Sequence, residues 1–146
     1  MVMADCVFCK VIAGELPSWK VYEDDHTVAF LDLYPSSKGH TLVVPKKHCA
    51  NFISADSECI QSVLSVAQKV ARAVLAATVA DGCNVTTNNG EAAGQSVLHL
   101  HWHIIPRFEG DGLAMWPQAP YTDGEAEKIA EKIKSSFKTG SRPPRG

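Results

Sequence analysis

The chain has 146 residues, of which 45% are hydrophobic, and its formal net charge at pH 7 is −2. This length allows one domain with a substantial core and is short for two. The charge argues against a broad basic surface for nucleic acid, so we expect a small molecule as the main partner.

The cysteines and the apolar segments indicate the compartment. Five cysteines are an odd number, and the start of the chain lacks a basic stretch followed by an apolar one, so a secreted disulfide framework is not expected. We predict reduced thiols and a cytoplasmic location. The apolar segment 63–80 is interrupted by Gln68, Lys69 and Arg72, so we expect no membrane span.

The first part of the chain predicts a short helix and three strands. Residues 4–14 have apolar residues at roughly helical spacing and end at Gly14, with Pro17 soon after. Residues 20–23 and 27–31 are rich in β-formers and flank a turn-forming Asp pair, which favours a hairpin. Residues 40–45, HTLVVP, predict the third strand.

The middle of the chain predicts the main helix and two more strands. Ser54 or Asp56 can cap a helix whose apolar residues recur at helical spacing and which stops at Asp81-Gly82. Residues 84–87 and 97–105 predict two adjacent strands joined by a loop. The expected fold class is therefore α+β, with a mostly antiparallel sheet of about five strands and one main helix packed on it.

The C-terminal part has a different character. Residues 109–124 contain many glycines and prolines and predict a surface loop, whereas residues 125–137 predict a polar helix. The final SRPPRG indicates disorder. We expect a single domain over residues 1–138 and a disordered tail over residues 139–146.

The segment 99–107, HLHWHIIPR, places three of the six histidines at alternate positions. In a strand these three share one face, and Leu100, Trp102 and Ile104 share the other. Three imidazoles on one face bury little apolar surface and repel one another when protonated, so a functional site is favoured over a structural role.

Metal binding and nucleophilic catalysis are the two kinds of chemistry that three histidines on one face can support. The outer pair has Cα atoms about 13 Å apart in a strand, so a three-histidine metal cage is geometrically poor. A neutral imidazole is a good nucleophile toward phosphorus, and a neighbouring imidazole can donate to a phosphoryl oxygen. The nearby Cys6-x-x-Cys9 is a weak signal by itself, typical of buried thiols, a redox pair or half of a zinc site.

The run HLHWHII, preceded by GQSVL, resembles the signature of the histidine triad (HIT) nucleotide-binding family, in particular its purine nucleoside phosphoramidase or bacterial-type branch. The likeness covers roughly residues 6–107. It includes KVYED at 20–24, FLD at 30–32, GHTLVVPKKH at 39–48 and NNG at 88–90. The resemblance implies a HIT-like α+β domain that pairs into a homodimer.

The resemblance also implies residue roles. His101 matches the nucleophile, His103 the histidine that contacts the α-phosphate, and His40 the histidine that supports the triad from behind. Gln95 and Ser96 match the positions that contact the phosphate and the leaving group. The implied nucleoside contacts are Asp32 for the ribose hydroxyls, Asn88 near ribose and phosphate, and Phe8, Phe30 and Leu33 around the base. The implied structural zinc ligands are Cys6, Cys9, His48 and His99, with Cys49 as a competing ligand.

These residues lead to one expected function and two alternatives. We expect cleavage of purine nucleoside 5′-phosphoramidates, such as AMP joined to an amine, through a covalent nucleotidyl-histidine, with no metal in the chemical step. The IIPR that follows the triad also resembles the dinucleoside polyphosphate hydrolase branch. A non-catalytic, zinc-containing nucleotide-binding module is the third interpretation.

Overall fold

The computed structural model describes residues 5–138. Its strands are β1 (Lys20–Glu23), β2 (Thr27–Leu31), β3 (Thr41–Pro45), β4 (Gly82–Thr86) and β5 (Trp102–Arg107), and its α-helices are α1 (Val7–Ile12), α2 (Ser57–Thr78) and α3 (Glu125–Lys138). A short 3₁₀ helix, Glu91–Ala93, lies between β4 and β5. The strands form one antiparallel sheet in the order β1-β2-β3-β5-β4. The α+β prediction with a five-stranded antiparallel sheet is confirmed.

The two faces of the sheet carry different apolar clusters. One cluster joins α2 to the sheet through Ala29, Val43 and Ile104, all with no exposed surface. The other joins α1 to the sheet through the residues that alternate with these on β2 and β3: Val28, Phe30, Leu42 and Val44. Because side chains alternate along a strand, successive positions of β2 and β3 contact α1 and α2 in turn. We call these the α1 face and the α2 face.

Helix α2 begins and ends by local chemistry. The Asp56 side chain caps the helix by accepting from the Cys59 backbone N–H at 2.8 Å. The helix stops at Thr78, earlier than expected, because Val79 adopts the left-handed conformation with φ 55°. By length and composition α2 would pass as a membrane span. Its buried side chains pack on the sheet.

The predicted strand 97–105 is corrected at both ends. Strand β5 begins at Trp102 and runs to Arg107, so His99 and His101 lie in the extended segment before it. That segment bonds outside the sheet, since the Leu100 N–H donates to the Cys49 carbonyl at 2.7 Å. The expected alternation holds around Trp102. Trp102 and Ile104 pack in the α2 face cluster, whereas His101 and His103 line a cavity on the α1 face.

The described chain divides into two compact units, the first ending at Asp111 and the second beginning at Gly112. The second unit contains a loop without regular structure and then α3, as predicted. The Thr122 hydroxyl and N–H both bond the Glu125 carboxylate at the start of this helix. The single domain over residues 1–138 stays a prediction, and the tail over residues 139–146 lies outside the described residues.

Candidate functional site

A cavity of about 270 Å³ opens on the α1 face of the sheet. Most of its wall is apolar, and the polar side chains that reach it are few: Asp32, Ser96, His101 and His103 are the main ones. All three side chains predicted to surround a base line it, namely Phe8, Phe30 and Leu33. A mostly apolar cavity with a few converging polar groups is the usual form of a small-molecule site.

The hydrogen bond made by His101 determines which of its ring nitrogens has a lone pair. Its Nδ1 lies 2.7 Å from the His99 carbonyl oxygen. A carbonyl oxygen only accepts, so Nδ1 carries the proton and Nε2 of the neutral ring keeps its lone pair. The Thr87 hydroxyl donates to the His101 carbonyl at 2.8 Å and holds the backbone in place. This tautomer leaves the Nε2 lone pair of His101 able to accept a proton or to attack an electrophile.

His103 has the opposite tautomer. The Ser36 backbone N–H donates to His40 Nδ1 at 3.1 Å, so the proton of His40 lies on Nε2. This Nε2–H donates to His103 Nδ1 at 2.9 Å, which leaves the His103 proton on its own Nε2. Within the part of the chain that the structure describes, this buried Nε2 has no hydrogen-bond partner. A buried, unpaired N–H beside a cavity is a ready donor for an anionic ligand.

Burial keeps these rings neutral. It lowers the pKa of His103 to about 4, with the neighbouring His101 and His40 adding to the effect. The pKa values of His40 and His101 are also lowered, mainly by burial, although the Asp32 carboxylate opposes the shift in both. One lone pair and one N–H donor are therefore both available near neutral pH.

Asp32 lies directly after β2 at the edge of the cavity. One carboxylate oxygen accepts from the Tyr34 N–H at 2.9 Å. The other lies 3.6 Å from His40 Nε2, too far for a good hydrogen bond but close enough for attraction. The carboxylate thus keeps acceptor capacity toward a ligand.

A second cluster lies beside the cavity and consists of Cys6, Cys9, His48 and His99. Their ligand atoms all lie within 4.8 Å of one another. His99 Nε2 lies 2.8 Å from the Pro45 carbonyl oxygen, so its proton is there and its Nδ1 lone pair faces the cluster. Burial lowers the pKa of His99 to about 4, and the neutral ring is the form that binds metals.

The distances in this cluster fit a tetrahedral metal ion. Zinc bonds of about 2.0–2.1 Å to nitrogen and 2.3 Å to sulfur place two nitrogens about 3.3 Å apart and a nitrogen and a sulfur about 3.6 Å apart. The two Nδ1 atoms of His48 and His99 are separated by 3.1 Å. Three of the four nitrogen–sulfur pairs have separations of 3.3, 3.4 and 3.6 Å. The donor set and its spacing both suit zinc.

The structure also brings Asp32, His40 and His103 within ligand distance of one another. This group is a poor metal site because His40 Nε2 carries a proton while its Nδ1 accepts from Ser36. A metal could bind there only after that hydrogen bond broke. We therefore infer that these residues determine which ring nitrogens carry protons and do not bind a metal.

Two predicted substrate contacts, Gln95 and Asn88, do not line the cavity. The Gln95 side chain accepts from the Gly90 N–H and donates to the Ala50 and Val97 carbonyls, so its amide is occupied by loop backbone. The Asn88 amide lies 3.4 Å from the Gly94 carbonyl. The sequence pattern placed both residues near the site but gave no information on which way their side chains point. Ser96, by contrast, does line the cavity.

Cys49, the competing zinc ligand, faces away from the cluster toward another thiol. Its Sγ lies 3.4 Å from Cys59 Sγ. Burial and this contact raise the pKa of Cys49 to about 12. Cys49 is not among the four residues whose ligand atoms come together, so it is left out of the ligand set. The pairing with Cys59 is a feature that sequence reasoning missed.

Comparison with known proteins shows the family. The HIT domain model matches residues 13–110. The chain belongs to the HIT family. It is 50% identical over 135 residues to the protein named Protein hit of Bacillus subtilis, covering 91% of this chain and 92% of that one. It is 39% identical over 135 residues to the adenosine 5′-monophosphoramidase of Schizosaccharomyces pombe, covering 91% and 98%.

Solved structures of HIT proteins agree with the fold. A Streptococcus mutans protein superposes with a TM-score of 0.88 at 42% identity, covering 92% of this chain and 87% of the other. A zinc-bound histidine triad family protein from Mycobacterium smegmatis superposes with a TM-score of 0.72 at 33% identity, covering 94% and 98%. These superpositions confirm the HIT-like α+β fold.

Proposed function

We propose that this HIT protein cleaves purine nucleoside 5′-phosphoramidates, such as AMP joined to an amine, through a covalent nucleotidyl-histidine. The observation that carries the proposal is the opposite tautomers of His101 and His103 beside one cavity. One ring offers a lone pair for attack on phosphorus, and the other offers an N–H for the developing negative charge. The name of the fission yeast relative supports this substrate class.

The reaction proceeds in two displacements. In the first, His101 Nε2 attacks the α-phosphorus, the bond from phosphorus to the amine breaks, and the amine nitrogen takes up a proton that comes from solvent through the Ser96 hydroxyl. In the second, water attacks the same phosphorus and returns one proton to solvent, the bond to His101 breaks, and AMP is released with the neutral His101 ring restored. The Nε2–H of His103 donates to a phosphoryl oxygen in both steps, and the Ser96 hydroxyl donates to the leaving amine.

The nucleoside occupies the apolar part of the cavity. Phe8, Phe30 and Leu33 contact the base, and the Asp32 carboxylate accepts from the ribose hydroxyls. His40 is a positioning residue, because it acts through His103. Gln95 and Asn88 contribute by holding the loop that carries Ser96.

Zinc has a structural role in this proposal. Held by Cys6, Cys9, His48 and His99, it would fasten α1 to the segment before β5 and supply no chemistry to the reaction. We further propose that the protein is a cytoplasmic homodimer that acts on nucleotides, without nucleic-acid or membrane partners.

The experiment that tests the proposal compares two substrates at equal concentration: AMP joined to a simple amine and a diadenosine polyphosphate. We expect a higher kcat/KM for the phosphoramidate. A higher kcat/KM for the diadenosine compound would contradict the proposal and indicate a dinucleoside polyphosphate hydrolase. Binding of AMP without turnover of either substrate would support the non-catalytic zinc module instead.

A further inference from the structure

Two cysteines outside the zinc-type cluster face each other at the start of α2. The Sγ atoms of Cys49 and Cys59 are 3.4 Å apart. Cys59 is buried in the first turn of the helix, where its backbone N–H is held by the Asp56 cap. Cys49 is half-buried in the loop that follows β3. Neither thiol has a part in the reaction proposed above.

The loop around Cys49 is connected to both clusters of the site. The residue before it, His48, belongs to the zinc-type cluster. The Cys49 carbonyl accepts from the N–H of Leu100 at 2.7 Å, and Leu100 lies between His99 and His101 in the chain. A covalent bond from Cys49 to α2 would therefore fix the loop that supports the metal ligands and the nucleophile.

We propose that Cys49 and Cys59 form a reversible disulfide by exchange with a low-molecular-weight disulfide such as oxidised glutathione. Two sulfurs already in contact need only small side-chain rotations to approach the bonded distance of about 2.05 Å. Cys49 is the more accessible thiol, and its raised pKa makes this first step slow. Once it has lost its proton to water, its thiolate attacks the small disulfide, whose S–S bond breaks to release one small thiol. Cys59 then loses its proton and attacks the mixed disulfide at Cys49, which releases the second. The two protein thiols are oxidised and one small disulfide is reduced to two thiols.

The expected consequence is a more stable fold. The bond closes a loop between residues ten positions apart and restricts the unfolded chain. For a domain of this size we expect the Tm to rise by about 5 °C or more. Reduction with a dithiol should return the Tm to its starting value.

The sequence makes the crosslink easy to map. Trypsin releases residues 48–69 as one peptide that contains Cys49 and Cys59 and no other cysteine. The full-length protein with its bound metal is incubated with oxidised glutathione, its free thiols are alkylated, and the digest is analysed by mass spectrometry. We expect this peptide to escape alkylation and to weigh less than the reduced form by two hydrogen atoms. Further cleavage after Glu58 should leave its two halves joined until a reductant is added.

Cys83 on β4 supplies the matched control. The Cys83→Ser variant should keep both the crosslink and the rise in Tm, whereas Cys49→Ser and Cys59→Ser should lose both. Full alkylation of peptide 48–69 in the oxidised wild type would overturn the proposal, as would a crosslink from Cys49 or Cys59 to any other cysteine. A crosslink that forms without raising the Tm would overturn the stabilising role. Because these readouts need no substrate turnover, they are independent of the proposed function.

Discussion

The tautomer of His103 gives the sharpest prediction, tested by replacing His103 and its neighbour His40 with phenylalanine in separate variants. His103→Phe keeps a planar aromatic ring at this position and removes the Nε2–H donor. Loss of one such donor costs about 10²–10³ in kcat, or roughly 2.7–4 kcal/mol. His40→Phe leaves the donor ring in place and removes the hydrogen bond that fixes its tautomer, together with the contacts of His40 to the Ser36 N–H and Asp32. A net contribution of about 1 kcal/mol for that bond corresponds to roughly a fivefold loss.

Single-turnover and steady-state kinetics with AMP joined to an amine measure both losses. We expect kcat to fall in both variants, with KM nearly unchanged, and the loss in His103→Phe to exceed that in His40→Phe by at least tenfold. Thermal unfolding of each variant checks that the fold survives. Equal losses in the two variants, or a His103→Phe enzyme with near wild-type kcat, would refute the donor role.

Three other predictions concern the ribose, the metal and acid. A 2′-deoxyadenosine substrate should have a raised KM in the wild type, and Asp32→Ala should remove the difference between the two sugars; equal kcat/KM values in the wild type would exclude Asp32 from the site. Protein purified without added metal should contain one zinc per chain, and a chelator should lower its Tm; near-zero zinc with unchanged unfolding would contradict the ligand set. Because the pKa of His103 falls from 6.5 to about 4 on folding, its contribution to stability is full above pH 6.5 and is lost as the pH falls toward 4. The free energy of unfolding, measured with urea, should fall over this pH range in the wild type and fall less in His103→Phe. The same pH dependence in both proteins would exclude the effect.

The elements of the fold were largely predictable because hydrophobic spacing determines them. Strands β1 and β2 match the predicted ranges, and Asp56 caps α2 as expected. The start of β5 was not predictable, since apolar and histidine residues already alternate over residues 98–101. There the chain bonds to the loop at Cys49 and not to a strand. Tertiary contacts of this kind leave no local pattern in the sequence.

The site was predictable in composition and less so in orientation. The resemblance named four residues that the structure brings together as a Cys₂His₂ cluster, although they are spread over residues 6–99. It also named Gln95 and Asn88, whose amides instead bind loop backbone. The tautomers depend on two backbone partners, the Ser36 N–H and the His99 carbonyl, and backbone groups are the same for almost any sequence. Only the three-dimensional structure shows which backbone groups contact these rings.

A covalent bond between His101 and the nucleotide can be detected by rapid-quench mass spectrometry. Enzyme mixed with AMP joined to an amine is quenched within one turnover under conditions that preserve phosphorus–nitrogen bonds, and its peptides are then mapped. We predict an adenylyl group on His101 that forms and decays at rates consistent with kcat, and none in a folded His101→Asn variant, which should also be inactive. Turnover at the normal rate with no label on His101, or with the label on another residue, would contradict the account.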